Sequence, residues 1–83
     1  MLIPMKIDYA LRLLVYLTLN KDRGLIKTNE VSKDQGIPVK FLQRIANDLQ
    51  KSEIINSTRG PSGGHEIIVD PKELFVSEIY INF

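Results

Sequence analysis

The chain has 83 residues, 43 % of them hydrophobic and 25 % charged, with no cysteine and a formal net charge of +1. That suffices for one domain with a small core and argues against disorder. The missing thiols exclude disulfides and thiol chemistry and fit a reducing compartment, so a cytoplasmic setting is expected.

The elements follow in chain order. Asp8 reads as an N-cap, and YALRLLVYLTL (9–19) continues it with only Arg12 and Thr18 polar, which predicts a helix over 8–20. This helix is apolar on nearly every side. Its second face is covered either by the domain itself or by another copy of the chain. NKDRGLIK (20–27) is a polar connection. Thr28 then caps a short helix over 28–35 that Gly36 ends.

Pro38 opens a helix over 38–51, where its missing N–H costs nothing. Leu42, Ile45, Ala46 and Leu49 fall at the spacing of a buried stripe. The outer face carries Lys40, Arg44, Asn47 and Lys51, flanked by Gln43. IINST (54–58) and EIIVD (66–70) are β-prone runs on either side of a glycine-rich loop, a hairpin over 54–70. Pro71 closes it, and a last helix begins within 75–83.

Helix, short helix, tight turn, basic helix and hairpin make a mainly α fold with a small β-hairpin, a winged helix-turn-helix, over residues 1–83. Small Ser32, four residues before Gly36, lets the two helices cross closely. Ile37, Leu42 and Ile45 fill the wedge between them.

The charge divides unevenly. Ten Lys/Arg face six Asp/Glu over residues 1–65, and one Lys faces four Asp/Glu over residues 66–83. A basic body of this kind suits a polyanion. Basic residues on a helix face are usually just solvated. Placed after a short helix and a glycine turn, however, Lys40, Gln43 and Arg44 are the types that hydrogen-bond to base edges. In RGPSGG (59–64), Arg59 has the shape to enter a minor groove, and Gly63 and Gly64 are expected to supply positive φ and close approach to a phosphate.

His65, the one histidine, reads as a surface residue of the wing. No metal-ligand spacing, nucleophile–base pair or phosphate loop is present, so no enzyme is expected. No apolar run has the length of a membrane span, and MLIPMKI is not a signal peptide.

KIDYALRLLVYL, QGIPVKFLQRIANDLQKSEIINSTRGPSGGHEI and PKELFVSEIY together resemble the Rrf-two family of bacterial transcription regulators, from residue 6 to about 80. The resemblance implies a homodimer of repressor type on a palindromic double-stranded operator. It places Pro38, Lys40, Phe41, Gln43 and Arg44 in the base-reading set, and Arg59, Gly60, Pro61, Ser62, Gly63 and Gly64 in the wing set. Family members often carry Ser, Tyr and Glu where Pro38, Phe41 and Gln43 stand, which implies a different operator.

The family's cluster-binding branches use three cysteines, and a long dimerisation helix normally follows. With no thiolate here, no cofactor is expected in this chain, although Asp8 resembles a cluster ligand of some members. The chain reads either as the DNA-binding piece of a longer protein or as a short member. From the residues alone, the competing function is a winged-helix module for protein contact, with the first helix as its interface.

Overall fold

The computed structural model describes residues 4–70. Three helices, α1 (Met5–Leu19), α2 (Thr28–Gln35) and α3 (Val39–Lys51), precede an antiparallel hairpin of β1 (Ile55–Thr58) and β2 (Gly64–Ile67). A 3-10 turn at Lys21–Arg23 links α1 to α2. This is the expected winged helix-turn-helix. The expected last helix over 75–83 lies outside the described residues.

Helix α1 starts three residues earlier than the sequence reading placed it. Pro4 occupies the N-cap at φ −53°, a value its ring favours, and its carbonyl accepts the Asp8 amide at 3.0 Å. Asp8 is therefore not the cap. It sits in the first turn, where the helix dipole favours a carboxylate, and pairs with Arg12 at 3.3 Å. At the other end the Asn20 side chain donates to the Tyr16 carbonyl at 2.8 Å and closes the last turn.

The capping of α2 also differs from expectation. Lys27 holds the N-cap position and Thr28 is already helical, its hydroxyl turned to His65. Gly36 ends the helix as expected, in the left-handed region at φ 66° with its amide on the Ser32 carbonyl. The Ser32 hydroxyl donates to the Ile37 carbonyl at 2.5 Å, so this small residue stitches the turn as well as making room for it. Pro38 is the N-cap of α3 rather than its first residue, and its carbonyl accepts the Phe41 and Leu42 amides.

One conformational demand is met without glycine. Glu53, just after α3, takes φ 60°, while the Ile54 amide reaches back to the Leu49 carbonyl at 3.0 Å. This is a Schellman-type ending built on a residue that disfavours it.

The core runs through all elements. Leu13 and Leu17 of α1, Val31 of α2, Ile37 of the turn, Leu42 and Leu49 of α3, Ile26 and Ile55 are all essentially inaccessible to water. Burial of each of these side chains contributes roughly 1.5–3 kcal/mol. Ile37, Leu42 and Ile45 form the wedge at the helix-turn-helix, as expected.

Among the described residues, helix α1 buries one face through Ile7, Ala10, Leu13, Leu14 and Leu17. Val15 remains 56 % exposed and Leu19 78 %, one turn apart and in line with half-buried Leu11.

The hairpin pairs Ile55 with Ile67, Asn56 with Glu66, Ser57 with His65 and Thr58 with Gly64. The second strand thus begins two residues before the expected EIIVD and leaves Ile68, Val69 and Asp70 beyond it. A further bridge pairs Ile26 with His65, so the segment before α2 runs beside the hairpin as a third edge.

A polar network fastens the 3-10 turn to α1 and α2. Arg23 makes a two-pronged contact with the Glu30 carboxylate at 2.6 and 2.8 Å, and the Tyr16 hydroxyl donates to the same carboxylate at 2.6 Å. The Arg23 guanidinium and then the Tyr16 hydroxyl hold the Glu30 carboxyl down to about 2, from an ordinary 4.5. The lower value belongs to the folded state. The stabilisation is therefore complete above the ordinary value and is lost as the pH falls from about 4.5 towards 2. Glu30→Gln is expected to flatten the acid limb of thermal unfolding over that window, measured beside wild type by circular dichroism.

Candidate nucleic-acid interface

Helix α3 turns Leu42, Ile45, Ala46 and Leu49 inward, so the 3.6-residue period forces Lys40, Gln43, Arg44 and Asn47 outward into water. The turn at Gly36 and Ile37 joins α2 to α3, whose polar face is exposed. Phe41, which the family resemblance placed in the base-reading set, sits to one side. Its ring lies 6.3 Å from that of Tyr9 on α1, tilted by 54°, with 46 % of the residue exposed.

Beside α3 the hairpin raises the second wall of a groove of about 910 Å³. Gln43, Arg44, Asn47 and Gln50 line it from α3. Ser57, Thr58, Arg59, Gly60, Gly63, Gly64 and His65 line it from the wing, and Lys27, Thr28 and Asn29 from the start of α2. Lys27, Arg44 and Arg59 put three cations into its walls, and no carboxylate among the described residues lines it. Amide side chains at 29, 43, 47 and 50 supply both donors and acceptors.

Of the sequence-derived site residues, the structure gathers Gln43, Arg44, Arg59, Gly60, Gly63 and Gly64 around this groove. Pro38, Lys40, Phe41, Pro61 and Ser62 lie outside its walls, though all five are exposed at its rim or beyond. Lys27, Asn29, Asn47 and Gln50 extend the set. Asn47 was legible on the outer face of α3. Lys27 and Asn29 were hidden in and beside a stretch that reads only as a polar connection.

The three glycines of the loop serve different needs. Gly60 takes φ 99° over open space, and its carbonyl accepts the Gly63 amide at 2.9 Å, with Pro61 and Ser62 at the corner of the turn. Gly63 does not have the positive φ expected of it. It is buried, and a Cβ there would lie 2.0 Å from the Thr58 carbonyl oxygen. Gly64 has φ 154° and is buried too, with a Cβ position 2.7 Å from the Ile26 carbonyl oxygen. The close approach that excludes a side chain at 63 and 64 is to the protein's own backbone. The sequence reading assigned it to a phosphate.

His65 also differs from expectation. It is half-buried, its Nδ1 2.7 Å from the Ser57 hydroxyl and its Nε2 2.6 Å from the Thr28 hydroxyl. Burial holds its pKa below the ordinary value, which keeps the ring neutral near pH 7. No group of three His, Cys, Asp or Glu suited to a metal ion occurs among the described residues.

A basic helix and a hairpin around one cationic groove are the parts that known regulators combine. The sequence profile of the Rrf2 family, iron-dependent transcriptional regulators, matches residues 3–82. The chain belongs to this family. A protein of Aquifex aeolicus described as an HTH-type transcriptional regulator is 37 % identical over 73 residues, which are 88 % of this chain and 50 % of that one. The HTH-type transcriptional regulator IscR of Photorhabdus laumondii is 30 % identical over 71 residues, covering 86 % of this chain and 43 % of its own. The chain thus spans about half the length of these relatives. A Listeria innocua protein described as a transcriptional regulator shares the fold at a TM-score of 0.92 and 24 % identity, over the whole of this chain and 58 % of that one.

The glycine assignments predict unequal substitutions. Gly63→Ala and Gly64→Ala are expected to cost more than ~2 kcal/mol each, because backbone must move to admit the methyl group. Gly60→Ala meets no neighbour and is expected to cost about 1 kcal/mol, from its φ alone. Urea unfolding of the three variants orders them.

Proposed function

We propose that this chain binds double-stranded DNA as part of a transcriptional regulator, with α3 in the major groove and the wing over the neighbouring minor groove. The observation that carries this is the groove between α3 and the wing, with three cations and, among the described residues, no carboxylate in its walls. A phosphate backbone is a continuous line of negative charge, and Lys27, Arg44 and Arg59 meet it from three separate elements. Lys40, Gln43 and Arg44, in the first two turns of α3, are the residues proposed to read base edges. Arg59, permanently charged and planar, is proposed for the minor groove.

The relatives described as transcriptional regulators support this reading, and it involves no catalysis. A repressor acting on a palindromic operator as a homodimer in the cytoplasm is the fuller form of the proposal. Exposed Val15 and Leu19 on α1, in line with half-buried Leu11, favour self-association, since an apolar strip of this kind gains by leaving water. The same strip is what favours the competing reading, a module for contact with another protein. No helix among the described residues is long and apolar enough to cross a membrane.

The family profile is that of iron-dependent regulators. The donors present do not fit an iron–sulfur cluster. These 83 residues contain no cysteine, and Asp8, the one position resembling a ligand, is paired with Arg12. Cofactor-free binding is proposed for this chain.

Three outcomes are expected. In mobility shifts at several salt concentrations, log affinity should fall with log salt at roughly −0.9 per neutralised phosphate, hence roughly −3 for the groove cations of each copy. No binding at low salt would favour the protein-contact reading. Arg59→Ala should weaken binding by about 1–3 kcal/mol, most strongly with A/T-rich flanks, whereas Arg44→Ala or Lys40→Ala should also blunt discrimination among sequences. In sedimentation the chain is expected to self-associate, and a pure monomer at high micromolar concentration rejects the dimer.

A further inference from the structure

The wing's strands are only four residues each, and a two-stranded ribbon of that length holds no fixed orientation by itself. Arg59 is exposed at the loop, so its place depends entirely on how the ribbon is docked. The apolar anchor of the ribbon is Ile55 on β1, buried in the core, and its polar docking is concentrated at His65. Its backbone exchanges two hydrogen bonds with Ile26, at 2.9 and 2.8 Å. Its ring spans from Ser57 on β1 to Thr28 at the start of α2. A neutral imidazole has one donor and one acceptor, and each hydroxyl can serve as either, so both tautomers are satisfied. At the tip, the Lys27 ammonium donates to the Pro61 carbonyl as a second tether.

We propose that His65 is a positioning residue for DNA binding, its imidazole tying the wing to the start of α2 and thereby holding Arg59 at a fixed offset from Gln43 and Arg44. The inference rests on the DNA-binding reading given above. His65 is not part of the hydrophobic core, which closes without it around Leu49, Ile54 and Ile55. What the ring contributes is orientation. A wing already in place when DNA arrives spares the ordering that a loose ribbon would undergo on binding.

The test uses the whole chain and a fluorescent duplex, with affinity read by anisotropy at several salt concentrations. His65→Phe removes both ring nitrogens and keeps the aromatic bulk, while His65→Gln restores one donor and one acceptor. The Phe variant is expected to bind roughly tenfold more weakly, the worth of one to two hydrogen bonds. Its salt slope should be shallower by roughly one, the contribution of a misplaced Arg59, and the Gln variant should recover part of both. In an Arg59→Ala background, His65→Phe should add nothing further. Wild-type affinity and slope in His65→Phe would overturn the inference. So would an equal loss with and without Arg59, the mark of a merely weakened fold.

Nitrogen NMR of the His65 ring in free wild type gives a second reading that does not require the variants to fold. One fixed rotamer with both nitrogens hydrogen-bonded supports the inference, and a rotationally averaged ring refutes it. Wild type that binds no duplex at low salt defeats the DNA-binding reading and the inference together. Wild type that binds while His65→Phe is unchanged defeats the inference alone.

Discussion

Two backbone hydrogen bonds between Ile26 and His65 fasten the second strand of the wing beside the start of α2. They join the residue two before α2 to the second strand of a hairpin nearly forty positions later, and they require Gly64 to lie so close to Ile26 that no side chain fits between. With Ile55 of β1 already held in the core, the arrangement of the wing's second strand and tip on the cationic side follows from that joint. It sets Arg59 opposite Arg44, brings Lys27 to the loop carbonyl of Pro61, and places the His65 ring between two hydroxyls. Without it α3 would still fold, since its inward stripe is buried in the core, but the second wall of the groove would be held only through Ile54 and Ile55.

How much of this was legible in the sequence varied with the range of the interaction responsible. The helices were legible because their causes are local: an apolar repeat in 42–49, a glycine at 36, a proline at 38. Their first residues were less so. Asp8 and Thr28 are both good capping types, yet Pro4 and Lys27 hold those positions, because Pro4 has a suitable φ and Thr28 finds a better partner in His65. The second strand began at Gly64 because the register is set by pairing with Thr58 and Ile26. A reading of β propensity alone discounts a glycine there.

The candidate site divided along the same line. Gln43 and Arg44 follow from helical period, and Arg59 from its loop. Lys27 and Asn29 enter the groove only through the fold, because nothing in NKDRGLIKTN marks two of its residues as facing a hairpin thirty positions away. His65 was misread for the same reason: a histidine on a β-prone run looks solvent-facing until Thr28 is brought beside it.

The self-contact of Gly63 and Gly64 also bears on how such a protein can change its preference among duplexes. Two of the loop's positions are occupied, in effect, by the molecule's own main chain, so no side chain can be introduced there without moving backbone. On the proposed DNA-binding reading, a loop of this kind would act as a caliper between neighbouring grooves and adjust poorly to sequence. Adaptability is left to the exposed side chains at 40, 43, 44 and 47, which share no packing with the core and can be exchanged one at a time. The fold thus separates a fixed gauge from an interchangeable reading face.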